Sequence, residues 1–313
     1  MTFLFEKMYR MGMQGKRRIA KMDMKRMTIS VVAVACLSVV SAQAESSSDT
    51  TQALNSVLQM VKMPQNAPDW LKRTTFDIGV EENYKPTWNL ETVQPVTQFY
   101  EDDMLFWQFH TSLRGNVDTY NIGLGYRNII HPEVMLGINS FYDYQNKNNH
   151  ERWSVGFEAI GKLAEFRANR YMAITNKKEV STGVFEEVLD GWDAELGGTI
   201  IPGVPLKVFA SYTVWDAKQT EDLKQKAFRM EYFLNDVVTL GMKYTHDNNK
   251  QGSMDQNRLM GEMTISLGSK TPGSKNMEQS SDLHDRLLIP VKREHDLIIE
   301  KSVNANIKIG RGS

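Results

Sequence analysis

The stretch Tyr120–Phe157 alternates between apolar and polar positions with a period of two residues. The pattern restarts at Val134 and again at Trp153, each time after residues typical of a turn. Because successive side chains of a strand point to opposite faces, the stretch predicts three strands, each with one apolar and one polar face. In the first run the apolar positions are Tyr120, Ile122, Leu124 and Tyr126, and the polar positions are Asn121, Gly123, Gly125 and Arg127.

Similar alternation, bounded by turn residues, continues from Thr74 to Leu267. We count about twelve such segments, and most have roughly the 9–11 residues that a tilted strand needs to cross a bilayer. The predicted strands are Thr74–Glu82, Thr87–Val96, Met104–Arg114, Asp118–Asn128, Val134–Tyr144, His150–Lys162, Ala164–Thr175, Trp192–Ile201, Leu206–Trp215, Lys224–Phe233, Val237–His246 and Arg258–Leu267.

The connections between these segments are sorted by length. Several alternate connections are tight, whereas those between them are long and polar, which is typical of outer-membrane barrels with short periplasmic turns. The tight ones are Gly161–Leu163, Pro202–Pro205 and Leu234–Asp236, and the long ones are Gln145–Asn149, Asn176–Gly191, Asp216–Leu223 and Asp247–Asn257. We therefore predict an all-β, twelve-stranded antiparallel transmembrane barrel rather than a soluble sandwich.

Charge of both signs collects on one face of the predicted strands. A dry sandwich core does not hold such a set, so this face is predicted to line a lumen while the apolar face meets lipid. Opposite charges on neighbouring strands favour pairs that brace the wall over a selective pore lining. The predicted lumenal charges are Arg127, Asp143, Arg152, Glu158, Asp193 and Glu195. Arg170 falls on the apolar face by register, where it is expected to snorkel to a headgroup or to mark a register slip.

The N-terminus is typical of a secretory signal peptide spanning residues 1–44. A basic stretch, Lys16–Arg26, precedes the apolar run Met27–Val40, and an A-x-A site predicts cleavage after Ala44. A methionine nearer the apolar run is an alternative start. The only cysteine, Cys36, lies within that run and is a poor lipidation site. Because cleavage after Ala44 removes it, the exported chain is predicted to have no cysteine and no disulfide.

The remaining segments flank the predicted barrel at 74–267. Residues 45–73 are predicted to be periplasmic, with a short amphipathic helix over Thr51–Met63. Residues 268–313 begin with a polar linker, followed by a helix over Asn276–Leu288 and an extended stem over Ile289–Asn304. The formal net charge of −1 gives no reason to expect a nucleic-acid partner.

No catalytic, metal-binding or cofactor motif stands out in the sequence. The six histidines show no metal-ligand spacing, and there is no G-x-S-x-G elbow. Asp143, His150 and Glu151 surround one predicted outer loop, which is the closest approach to a catalytic group, but loop solubility explains them equally well. We predict a protein that is not an enzyme and that needs no cofactor.

Several sequence pieces, in order and spacing, resemble the β-domain of the intimin and invasin family, the inverse autotransporters of Gram-negative bacteria. They include NIGLGYR, MLGINSFYDY, HERWSVGFEA, FRANRYM, DGWDAELGGTIIPGVPL and LLIPVKREHDLIIEK, and the resemblance covers roughly residues 68–304. It implies a twelve-stranded outer-membrane barrel with a periplasmic N-terminus, a helix in the pore, and a linker that leads a C-terminal adhesin passenger to the surface.

The chain departs from this family pattern because too few residues follow the barrel to form an immunoglobulin-like passenger domain. We therefore expect a translocator and anchor whose passenger is missing, truncated or encoded separately. The alternatives are a stand-alone outer-membrane channel or export pore for a partner protein, and an adhesin that uses the loops Asn176–Gly191 and Asp247–Asn257. Expected partners are outer-membrane lipid, the barrel-assembly machinery, periplasmic chaperones, and a host-cell receptor or a separate passenger protein.

Overall fold

The computed structural model describes residues 68–81, 85–115, 117–248, 257–267, 280, 282–303 and 306–311. The predicted signal peptide, its cleavage site at Ala44, Cys36 and the helix over Thr51–Met63 lie outside the described residues. In the part that is described, no helix is both long and apolar enough to cross a membrane.

Twelve antiparallel strands form a closed barrel, which confirms the predicted fold. The barrel strands are β1 Thr74–Glu81, β2 Thr87–Thr97, β3 Asp103–Arg114, β4 Val117–His131, β5 Val134–Gln145, β6 His150–Gly161, β7 Ala164–Ala173, β10 Asp190–Thr199, β11 Leu206–Asp216, β12 Leu223–Phe233, β13 Val238–Asp247 and β14 Asn257–Ser266. Strand β1 pairs with β14 and closes the sheet, so no barrel strand leaves an open edge.

The alternation in the sequence separates the two faces of the wall. On β4 and β5, Ile122, Leu124 and Ile138 are 54%, 57% and 62% exposed, whereas Asn121 and Arg127 are fully buried. Apolar side chains therefore cover the outside, as in a membrane barrel, whereas the inside carries polar and charged side chains together with a few buried apolar ones such as Met135 and Phe141. Arg170 lies on the outer face and forms an exposed ion pair of 3.3 Å with Asp216 at the end of β11.

The two ends of the barrel differ. The short connections between β4 and β5 and between β6 and β7 lie at one end, here called the turn end. The longest connection, between β7 and β10, lies at the opposite end, here called the loop end, together with the short connection between β3 and β4. In the loop between β5 and β6, Asn148 and Asn149 adopt φ of 61° and 49°, a conformation that asparagine tolerates better than most residues.

The segment Asn176–Gly191 is more ordered than the prediction of a long polar loop. It contains a hairpin of β8, Lys178–Ser181, and β9, Val184–Val188. Two further strands, β15 Ile298–Val303 and β16 Asn306–Arg311, complete a second sheet with the order β16-β15-β9-β8. This sheet stands at the loop end and joins an outer loop to the C-terminal segment.

The predicted helix over Asn276–Leu288 is wrong for the residues that are described. Residues 282–288 form only a single 3₁₀ turn, His284–Arg286, and the chain then runs extended. The carbonyl groups of Leu287 and Ile289 bind a wall arginine instead of helical N–H groups.

Candidate functional site: the occupied lumen

The C-terminal segment 282–303 passes through the barrel from the turn end to the loop end. His284 contacts Asp102, which precedes β3 at the turn end, with Nε2 3.0 Å from Oδ1. At the other end of the segment, Ile299–Val303 pair with β9 outside the barrel. The lumen therefore holds a continuous stretch of this chain, and we call residues 282–297 the lumenal segment.

At the turn end, an apolar cluster seals the lumenal segment against the wall. Leu283, Leu287 and Ile289 pack against Met135 and Ile160, and all five are buried. The strands β5 and β6 present these two wall residues inward, where a water-filled pore would carry polar side chains. This part of the lumen is closed by hydrophobic packing.

Arg127 binds the lumenal segment just above this cluster. Its Nη1 donates to the carbonyl oxygens of Leu287 and Ile289, at 2.9 and 2.6 Å. Its Nε and Nη2 donate to Glu158 Oε2, at 3.1 and 2.9 Å. The guanidinium group thus joins two wall strands and the main chain of the lumenal segment.

Arg286 forms a buried ion pair between the lumenal segment and the wall at the turn end. Its Nη1 donates to the carbonyl oxygen of Gly161 at 2.7 Å, and its Nη2 donates to Glu165 Oε1 at 2.5 Å. Glu165 also accepts from Lys207 at 2.6 Å and is paired with Arg167. This buried carboxylate therefore lies among three cations, one of which comes from the lumenal segment.

In the middle of the barrel, Gln108 extends its amide toward the main chain of Val291. The Val291 N–H donates to Gln108 Oε1 at 2.8 Å, and Gln108 Nε2 lies 3.4 Å from the Val291 carbonyl oxygen. The Val291 side chain packs against Phe106 and Phe141. These hydrogen bonds supply partners for the N–H and carbonyl groups of Val291, which an extended chain does not bond internally as a helix does.

Near the loop end, Arg293 forms a bidentate ion pair with Asp143. Its Nη1 and Nη2 donate to the two carboxylate oxygens at 2.7 and 2.6 Å, and neither side chain is exposed. Arg152 donates to the same carboxylate at 2.8 Å and to the carbonyl oxygens of Glu294 and Asp296 at 2.7 and 3.0 Å. Asp296 also pairs with Arg114 at 3.1 Å.

The second sheet receives the chain as it leaves the barrel. Glu186 on β9 accepts from His150 Nε2 at 2.8 Å and from Asn148 at 2.8 Å, and it pairs with Lys301 on β15 at 3.1 Å. Burial of Glu186 opposes its ionisation, but the hydrogen bonds from these three residues outweigh burial and lower its pKa to about 2. An outer loop, a barrel strand and the C-terminal segment therefore meet at one carboxylate.

The predicted lumenal charges all lie on the inner face and have close polar partners. Arg127 pairs with Glu158, and Arg152 pairs with Asp143. Asp193 accepts from Asn169 at 2.8 Å and Tyr171 at 2.5 Å, and Glu195 accepts from Arg229 at 2.7 Å. Arg286 and Arg293 also bind these wall carboxylates or their neighbours but were not predicted, although a basic residue in the extended stem after the barrel, such as Arg293, was a usable signal.

Asp143, His150 and Glu151 do not form a catalytic group. Asp143 is bound by three arginine and asparagine side chains, whereas His150 binds Glu186. Within the described part of the chain, no three His, Cys, Asp or Glu side chains are placed to hold a metal ion.

The lumenal segment lies closer to one side of the wall. Its contacts concentrate on β3 to β7, and a cavity of about 240 Å³ remains toward β1, β2 and β11 to β14. Asp77, Glu91, Glu262 and Lys243 are among the residues that line this cavity. The barrel is therefore occupied asymmetrically.

Comparison with known proteins shows the family to which the barrel belongs. The family described as inverse autotransporter, beta-domain, matches residues 28–294. The chain is 31% identical over 134 residues to the inverse autotransporter adhesin YeeJ of Escherichia coli (strain K12), a match that covers 40% of this chain and 6% of that protein. It is 26% identical over 158 residues to a putative attaching and effacing protein homolog of the same organism, covering 48% of this chain and 53% of that protein.

A solved structure described as "Unveiling the Mechanism Behind the in-meso Crystallization of Membrane Proteins" has the same fold. It superposes with a TM-score of 0.62 at 18% identity, over 73% of this chain and 99% of the other. The chain thus spans about half or less of the length of the curated relatives given above. The family is one of adhesins and translocators and is not an enzyme family. The chain belongs to the inverse autotransporter β-domain family, and it is a barrel of the outer membrane of Gram-negative bacteria.

Proposed function

We propose that the barrel exports the polypeptide that follows β14 and then anchors it at the cell surface. The observation that carries this proposal is the path of residues 282–303, which enter at the turn end, cross the lumen and leave at the loop end. With the short turns in the periplasm, this path leads from the periplasm to the outside. The lumenal segment is then the part of the chain that stays in the barrel after transport and connects the barrel to the exported polypeptide.

The wall contacts suit this role because most of them bind main-chain atoms. Arg127, Arg152 and Gln108 bind carbonyl or amide groups, which every residue of a passing chain except proline offers in full. An extended chain also presents these groups to the wall, whereas a helix consumes them internally. The extended form of residues 290–297, which the sequence predicted for the stem Ile289–Asn304, therefore supports an export path.

Adhesion is the role proposed for the exported part. The two curated relatives carry the words adhesin and attaching in their names, and each extends beyond the region that this chain matches. A host-cell receptor is the proposed partner of such a passenger, or of a separately encoded passenger protein that uses this barrel. Insertion into outer-membrane lipid by the barrel-assembly machinery, after delivery by periplasmic chaperones, completes the proposed set of partners.

A competing function is a stand-alone channel. The cavity of about 240 Å³ beside the lumenal segment is the observation in its favour. Current through single barrels in planar bilayers separates the two functions. Export predicts that removal of residues 276–313 raises the conductance strongly, because the lumenal segment blocks the path. Equal conductance with and without these residues favours the channel.

Surface display of a C-terminal epitope tests the export proposal. An epitope fused after Ser313 is expected to bind antibody on intact cells. The matched control carries the same epitope in the turn between β6 and β7, at Lys162 and Leu163, where antibody binds only after the outer membrane is permeabilised. If the C-terminal epitope is also hidden on intact cells while the barrel is folded, the proposal fails.

A further inference from the structure

The contacts between the wall and the lumenal segment are of two kinds. Arg127 and Arg152 hold main-chain carbonyl groups, and these contacts are available to any residue that occupies the same place. Other contacts hold side chains of the lumenal segment, and the two most deeply buried of these ion pairs join Arg286 to Glu165 and Arg293 to Asp143. Main-chain contacts give affinity without sequence selection, whereas side-chain contacts select particular residues.

We infer that Arg286 and Arg293 are the positioning residues that fix where the exported chain stops in the lumen. This inference rests on the proposed export function and adds the mechanism that sets the final register. The two arginines bind opposite ends of the lumen, since Glu165 lies near the start of β7 at the turn end and Asp143 near the end of β5 at the loop end. A chain held at both points has only one alignment with the wall.

The neighbours of each arginine oppose a slip by one residue in either direction. An inward slip places Glu294 at Asp143, where two carboxylates meet without exposure to solvent. An outward slip places Lys292 at Asp143 and Asp285 at Glu165, again bringing two carboxylates together. Buried like charges are strongly unfavourable, so the sequence around both arginines disfavours both neighbouring registers.

The geometry at Asp143 also distinguishes arginine from lysine. Arg293 reaches both carboxylate oxygens at 2.7 and 2.6 Å with a planar fork. Lysine presents a single ammonium group and does not reproduce a bidentate pair. An outward slip that brings Lys292 to Asp143 therefore loses the fork at one end while it creates repulsion at the other.

Cross-linking of paired cysteines measures this register. His110 on the wall and His295 on the lumenal segment have ring centroids 3.8 Å apart, which marks a native contact. In a C36S background, a cysteine at His110 is combined with a cysteine at His295 or at Glu294, and a short thiol-specific cross-linker is added to intact cells. The ratio of the 295 product to the 294 product reports the share of chains in the native register.

The test uses conservative substitutions that keep the lumenal segment polar and charged. We expect the ratio to fall about fivefold or more in the double variant R293K/D285N, because R293K removes the fork at Asp143 and D285N removes the repulsion from Glu165 in the outward register. Each single substitution should change the ratio less than the double variant does. R170A, which removes a charge on the lipid-facing side, is the matched control and should leave the ratio unchanged.

An unchanged ratio in R293K/D285N overturns the inference, because a merely structural role for these residues leaves the register as it was. Such a result is distinct from failure of the export proposal. Export fails if the C-terminal epitope of the unsubstituted protein is hidden on intact cells, whatever the ratio of the cross-linked products.

Discussion

Arg127 and Glu158 form a fully buried ion pair across the barrel wall, with Nη2 2.9 Å from Oε2. The same arginine holds the carbonyl oxygens of Leu287 and Ile289 with its remaining nitrogen atom. The ion pair therefore links β4 to β6, and Arg127 also donates hydrogen bonds to the main chain of the lumenal segment.

Loss of Glu158 is expected to destabilise the barrel. E158A leaves the Arg127 guanidinium without its carboxylate in a buried site, and breaking a buried pair in this way typically costs about 3–5 kcal/mol. The measurement is the free energy of unfolding of the purified barrel in detergent, followed by tryptophan fluorescence in urea. R170A is the control, because an exposed pair such as Arg170–Asp216 contributes about 0–1 kcal/mol. Equal effects of the two substitutions would contradict this account of the wall.

Gly125 is expected to tolerate no larger side chain. A Cβ atom at this position would lie 2.3 Å from Phe106 Cζ, and Phe106 packs against Val291 of the lumenal segment. G125V should displace the Phe106 ring and loosen its packing against the lumenal segment. The free energy of unfolding should fall by about 1–3 kcal/mol. Hydrogen exchange at residues 289–293 should rise in this variant. The control A210V adds two methyl groups on the exposed side of β11 and should leave that exchange unchanged.

Acid is expected to loosen the second sheet through Glu186. Its pKa is lowered from the ordinary 4.5 to about 2, so its contribution is complete above about pH 4.5 and is lost as the pH falls toward 2. Hydrogen exchange in β9 and β15 should therefore increase over this range. E186Q removes the titrating group. Hydrogen exchange in β9 and β15 of this variant should therefore be faster than in the unsubstituted protein above about pH 4.5 and should vary less with pH. If E186Q shows the same pH dependence as the unsubstituted protein, Glu186 is not the group responsible.

Much of the barrel could be predicted from the sequence because lipid and lumen impose opposite polarity on alternate residues. The predicted strand Asp118–Asn128 is observed as Val117–His131, and Leu206–Trp215 is observed as Leu206–Asp216. The boundaries differ because hydrogen-bonded pairing continues past the membrane, where the apolar signal ends. The lumenal position of Arg127 and Asp143 was predictable from the same alternation.

The second sheet and the 3₁₀ turn that replaces the end of the predicted helix were not predictable in the same way, whereas the extended stem after Leu288 was predicted. The hairpin of β8 and β9 is polar because it stands outside the membrane, so its strands resemble a solvated loop in sequence. Its pairing with β15 depends on where the C-terminal segment leaves the barrel. A helix was predicted over Asn276–Leu288, but Arg127 of the wall binds the carbonyl groups of Leu287 and Ile289, and this contact depends on where the segment enters the barrel.

The central claim is that the C-terminal segment crosses the barrel from the periplasmic to the external side. Cysteine labelling tests it directly in a C36S background, with single cysteines at Asp282, before the lumenal crossing, and at Ser302, after it. A membrane-impermeant maleimide applied to intact cells should label S302C and should label D282C only after the outer membrane is permeabilised. Labelling of D282C but not S302C on intact cells would contradict the account.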